Sequence, residues 1–138
     1  MKIFGLDGRE HSWNPSHKSG TFSDKNKSKL HISVRNFLRS EFPYDRILEE
    51  VTLPGTRTSI RKSTLYADFF IPNRSMIVEA HGEQHYKYNS FFFKDKKSFY
   101  RAKARDNDKR NWCEQNGLTM IELSYKDNED DWRQLLNE

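Results

Sequence analysis

From residue 27 onward the apolar positions switch between helical and strand spacing, and the switches outline a small α/β domain. Leu30, Val34, Phe37, Leu38 and Phe42 recur at steps of three and four. They predict one helix over 27–42, ended by Pro43. Residues 47–53 (ILEEVTL) alternate like a strand, and Pro54-Gly55 marks a turn. Residues 64–71 (TLYADFFI) are aromatic-rich, 76–80 (MIVEA) short and apolar, and 118–125 (LTMIELSY) alternating. All three predict strands. A long basic helix is expected over 96–116, with Gly117 suited to its end. Asn128 can cap a last helix whose first turn holds Glu129, Asp130 and Asp131, where negative charge suits the helix dipole. The order α-β-β-β-α-β-α implies a small mixed sheet flanked by helices. Residues 7–29 are polar and turn-rich, and read as an irregular arm.

The 138 residues suffice for one domain with one core. Lys, Arg, Asp and Glu make up 32%, but ten Phe, six Tyr and three Trp supply core volume and argue against disorder throughout. No apolar run is long enough to span a membrane, and the first residues lack the apolar stretch of a signal peptide. One cysteine, Cys113, excludes a disulfide framework and fits a reducing compartment. The net charge of +4 is unevenly placed. Residues 1–40 and 94–110 each carry eight Lys/Arg against three acids, and 122–138 carry two against six. That polarity suggests a polyanionic partner, or else a solvated surface.

Two acids sit where core is expected. Asp68 interrupts LYADFFI and Glu79 interrupts MIVEA. A carboxylate in a buried strand is costly unless paired or bound to metal. Strands joined by a short turn are normally neighbours, so the two acids can lie side by side and repel unless a cation joins them. Oxygen ligands of this kind suit Mg²⁺ or Mn²⁺. The alternative is a buried ion pair to Arg or Lys.

Gly82 permits a sharp turn after Glu79, and His81, Gln84 and His85 then crowd one strand end. His81 and His85 do not make a zincin. That motif needs Glu directly after the first His on a helix, and Gly82 stands there. In the basic helix Phe99, Ala102, Asp106, Lys109 and Cys113 are spaced 3, 4, 3 and 4, so Asp106 and Lys109 share the stripe that faces the sheet. An internal Asp106–Lys109 pair is the plainer reading. Arg57, Arg61, Lys62, Lys103, Arg105 and Arg110 fall elsewhere and are the expected phosphate contacts.

The order [F/Y]-A-D-F-x-[I/L]-P, I-V-E-x-x-G-x-Q-H, then R-D-x-x-K-x-x-W-C-x-x-N-G-L-x-x-I-x-L resembles the PD-(D/E)XK nuclease superfamily. The similarity covers about residues 28–125 and is nearest to very-short-patch-repair-like and phage or intron homing endonucleases. It implies a restriction-endonuclease-like domain over 27–138 behind the arm 1–26, and Mg²⁺-dependent (or Mn²⁺-dependent) hydrolysis of DNA phosphodiesters. By the same resemblance Asp68 and Glu79 hold the metal, His85 stands near the attacked phosphate, Asp106 orients it or supports the metal, and Gln84 belongs to the turn. The cytoplasm of a bacterial or phage-infected cell is the implied location.

The sequence departs from the pattern in two places. The motif lysine would fall at His81, and the first-helix glutamate of relatives near His31, so Glu49 or Glu50 is left to supply that acid. His81 or His85 then remains as the base or acid. Lys109 is expected to stabilise developing charge in place of the missing lysine. The second reading is an inert nucleic-acid-binding module of the same fold, favoured by these departures and opposed by the intact acids. With little room for a recognition domain, a second copy, a partner subunit or the arm is expected to supply specificity.

Overall fold

The first departure from these expectations is at the N-terminus. Lys2–Phe4 (β1) and Glu10–Ser12 (β2) pair antiparallel, where the sequence reads as an irregular arm. Ile3 and Trp13, with the partly buried Leu6, anchor this hairpin, too few to leave a period. Ile3 and Trp13 are both 3% exposed in the main core. The Trp13 indole N–H donates to Thr52 O at 2.9 Å, and Leu6 N–H donates to Gly55 O at 2.8 Å. Gly5 and Gly55 meet backbone to backbone. A Cβ on Gly55 would lie 2.5 Å from Gly5 Cα, so this contact requires glycine.

In this computed structural model, residues 1–15, 27–82 and 95–137 are described. The first helix, α1 (Lys29–Glu41), begins where the Ser28 side chain accepts the His31 N–H, and stops before Pro43. Next come β3 (Leu48–Leu53), β4 (Leu65–Ile71) and β5 (Met76–His81), joined antiparallel in sequence order. A 3₁₀ turn, Pro72–Arg74, links β4 to β5. The long helix α2 (Lys96–Gln115) precedes β6 (Thr119–Ser124), which therefore returns parallel to β5. The chain ends in α3 (Glu129–Leu136), capped by Asn128 in a reciprocal box with Asp131.

The sheet order is β3-β4-β5-β6, a mixed sheet flanked by three helices, and the fold is α/β as the sequence indicates. The sheet has a core on each face. Leu48, Val51, Ala67, Phe70 and Ile77 pack with Trp112 and Cys113 of α2. Phe69, Ile71, Val78 and Leu123 pack with Val34, Phe37 and Leu38 of α1 and Trp132 of α3. Among the described residues no helix is long and apolar enough to cross a membrane.

Candidate active site at a strand fork

The β4–β5 ladder pairs Ile71 with Met76, Phe70 with Ile77 and Phe69 with Val78, then stops. The next pair in that register is Asp68 and Glu79. Here side chains replace the ladder. Asp68 N–H donates to Glu79 Oε2 at 2.6 Å, and Ala80 N–H donates to Asp68 Oδ2 at 2.9 Å. Each acid thus satisfies a backbone N–H of the neighbouring strand that the fork would leave orphaned. On the other side, the β3–β4 ladder runs from Leu48–Phe70 to Leu53–Leu65 but skips the pair that Glu50 would make with Asp68. Both strands change face at this point, since Leu48 and Val51, and likewise Ala67 and Phe70, join one core at odd spacing. Glu50 takes a left-handed φ of 51°, a strained state for a residue with a side chain.

Over the fork lies α2. Lys109 Nζ donates to Glu79 Oε1 at 2.5 Å. Complete burial pushes the Glu79 carboxyl up to about 8, the Asp68 charge adds to the rise, and Lys109 opposes it. For Lys109, burial works against the charge, but the Glu79 contact outweighs it and the ammonium is held above its usual range, with Asp68 and Asp106 adding to the effect. The two directions pull against each other, because the charge that raises Lys109 is the one burial denies Glu79. Glu79 keeps 2% of its side-chain surface and Lys109 15%, so the strain of the pair rests on the carboxylate. Burial, with the Glu79 charge adding, also raises the Cys113 thiol to about 12 and leaves it an inert core residue.

The inward stripe of α2 forms as the spacing predicts, with Phe99, Asp106 and Cys113 buried and Lys109 nearly so. Asp68, Glu79 and Lys109 are therefore brought together, with Asp106 near enough to act on Lys109. His81 is 2% exposed, with Nδ1 3.4 Å from Glu122 Oε2. Gln84 and His85 lie outside the described residues, and with them the expected Asp106–His85 contact. Of the two acids left open in β3, Glu49 is committed elsewhere. It accepts from His31 Nε2 at 2.7 Å and from Arg35 Nε at 2.9 Å on the α1 face. Glu50, more than half exposed, is the one opposite Asp68, and it pairs with Lys27.

The expected phosphate contacts divide. Arg57, Lys62 and Arg105 are exposed. Arg61 is a strut, 2.9 Å from Asp108 and donating to Thr56 O at 2.7 Å. Lys103 lies over the Phe99 ring, and Arg110 pairs with Glu122. Glu122 is the residue the sequence reading missed. It stands beside Glu79 in the parallel β5–β6 ladder and joins Arg110 and His81. Its signal was present, since it interrupts an apolar strand as Asp68 and Glu79 do.

No family model matches the chain, and no solved structure matches it. Two curated viral proteins are similar. Uncharacterized protein 033L of Invertebrate iridescent virus 3 is 33% identical over 99 residues, 71% of this chain and 50% of its own length. Uncharacterized protein 307L of Invertebrate iridescent virus 6 is 39% identical over 61 residues, 44% of this chain and 31% of its own length. The chain thus spans about half of one relative and under a third of the other.

Proposed function

We propose that this chain is a divalent-metal-dependent nuclease that hydrolyses DNA phosphodiester bonds at the Asp68–Glu79–Lys109 fork. The observation that supports it is the pairing of two carboxylates across a broken ladder, one of them fully buried with a carboxyl held up to about 8. Structural carboxylates are not normally left so poorly compensated, whereas perturbed groups cluster at functional sites.

The donor set fits Mg²⁺ or Mn²⁺. Both acids offer hard oxygens, and an oxygen that accepts one N–H keeps a second lone pair. Mg²⁺ commonly takes one or two protein carboxylates, with water and substrate phosphate completing its shell. Asp68 and Glu79 would hold the ion, which when bound polarises a phosphoryl oxygen and acidifies water. Lys109 brings a fixed cation to the charge that develops on the phosphoryl oxygens, from a helix rather than from the motif position in β5. Asp106 helps keep that ammonium charged.

A second reading, an inert binder, is favoured by one observation: position 81 holds a buried histidine in place of the motif lysine. Supercoiled plasmid incubated with the protein in Mg²⁺, Mn²⁺ or EDTA decides between them. Nicked or linear product with either ion, lost in EDTA and in Asp68→Asn, is expected. Asn keeps an oxygen for the Ala80 N–H, so the fold is retained. Intact plasmid under all conditions, or full activity of the variant, overturns the nuclease reading.

A further inference from the structure

On α2 a cation recurs every four residues, at Lys97, Arg101, Arg105 and Lys109. Each four-residue step overshoots one helical turn by about 40°, so the row winds from the outer flank of the helix to its inward stripe. Its last member grips Glu79. The first three line a groove of about 680 Å³ between α2 and the loop that joins β3 to β4. Arg61 and Ile60 form the loop side, and Arg61 braces the wall through Asp108, next to Lys109. No acid lines this groove among the described residues. Ile60 is 94% exposed on its lip, flanked in sequence by Arg57, Arg61 and Lys62.

We propose that this groove seats an unpaired stretch of nucleic-acid strand and leads it to the fork. The direction of travel rests on the nuclease reading above, while the binding claim does not. Three features define the occupant. Lys97, Arg101 and Arg105 step along the helix by about 6 Å, wider than the ~3.4 Å axial rise per phosphate of a stacked duplex strand, as suits an extended strand. Three exposed cations at regular intervals match a repeating phosphate rather than a single anion. An apolar lip beside them has nothing to pack on in a closed duplex, whose base faces are stacked, but meets the faces of unpaired bases.

The test measures binding in EDTA, so that cleavage plays no part. Fluorescence anisotropy follows a 20-nucleotide oligo-dT and a 20-base-pair duplex over a range of salt. The expected result is tighter binding of oligo-dT. Lys97→Glu/Arg101→Glu should weaken oligo-dT at least about tenfold and reduce its log–log salt slope by about 1.4, at roughly 0.7 per lost single-strand contact. Ile60→Ser should weaken oligo-dT about three- to tenfold and leave the duplex unchanged. Arg9→Glu is the control, in the β1–β2 turn that packs at the opposite end of α2 through Gln115 and Asn116. Preference for the duplex, or a charge-reversed groove that binds oligo-dT as wild type does, overturns the proposal. Plasmid cleavage with unaltered groove variants would remove the groove and keep the nuclease. Groove-dependent binding without cleavage would do the reverse.

Discussion

The two faces of the sheet each bury a glutamate against a helix, and they treat it in opposite ways. On the α1 face Glu49 accepts from His31 and, through both oxygens, from Arg35. Its burial raises the carboxyl, but these partners outweigh it and hold the group below its usual range. On the α2 face Glu79 has one cation, a second acid beside it and complete burial, and its carboxyl rises to about 8. Burial thus ends in a strut where two cations answer it, and in stored electrostatic strain where it is more complete and less compensated. Acid burial alone does not mark a site; a shortage of compensating charge does.

The largest effect that separates the faces is in rate. If the α2 face is the reactive one, Asp68→Asn should lower plasmid cleavage by about 10³, equivalent to several kcal/mol of charge stabilisation at 1.36 kcal/mol per decade. Its urea midpoint should hold or rise at pH 8, because Glu79 loses a repelling neighbour. Glu49→Gln should do the opposite: cleavage within about threefold of wild type, and a loss of about 2–4 kcal/mol in stability, since Arg35 would stay buried without its anion. Equal rates for the two variants in a single-turnover assay would break the comparison.

Next is the pH dependence of stability in EDTA. Glu79 holds its proton to about 8 when folded and to about 4.5 when unfolded. Between those values the native state binds more protons, so stability falls as pH rises from about 4.5 to 8. Glu49 has the opposite sign. Its depressed carboxyl contributes stability above the unfolded value, lost as pH falls below about 4.5. Lys109, held up by Glu79, contributes below the unfolded lysine value and loses it only as pH passes its raised one, outside this window. Urea titrations from pH 4 to 9 should therefore show Glu79→Gln flattening the alkaline limb and Glu49→Gln the acid limb. Mg²⁺ should raise the melting temperature more at pH 8 than at pH 5, and not in Asp68→Asn, because a bound cation replaces the proton.

What the sequence made legible follows the same division. Asp68, Glu79 and Lys109 were readable because acids break an apolar strand and a 3-4 spacing fixes a helix face. Partners set by tertiary contact were not. Arg110 is an expected phosphate contact by sequence, but Glu122 of β6 holds it. The His31–Arg35–Glu49 cluster joins a helix and a strand whose registers nothing local relates. The hairpin at Lys2–Ser12 is hidden because its anchors, Ile3, Leu6 and Trp13, are scattered through a polar stretch. Lys97 and Arg101 belong to the basic stretch 94–110, and only the loop that faces them sets them apart from its other cations.

The smallest expected effect concerns Glu50, where the two faces exchange residues. Its φ of 51° costs about 1–2 kcal/mol for a side-chain-bearing residue. Glu50→Gly removes that strain but also its pair with Lys27 and some order in the unfolded chain's favour, so the net gain should be about 0–1 kcal/mol. If Glu50 were merely a kink, the gain would come with unchanged cleavage. The register places its backbone opposite Asp68, and its side chain is more than half exposed. Strain retained at such a point is expected to serve the site. Glu50→Gly should therefore be at least as stable as wild type and about tenfold slower, while Glu50→Gln keeps the strain and shows the same slowing. Urea unfolding and single-turnover cleavage of both variants check it. Slowing confined to the glycine variant would assign the effect to the backbone kink; slowing in both assigns it to the carboxylate, making Glu50 rather than Glu49 the acid of β3 that belongs to the fork.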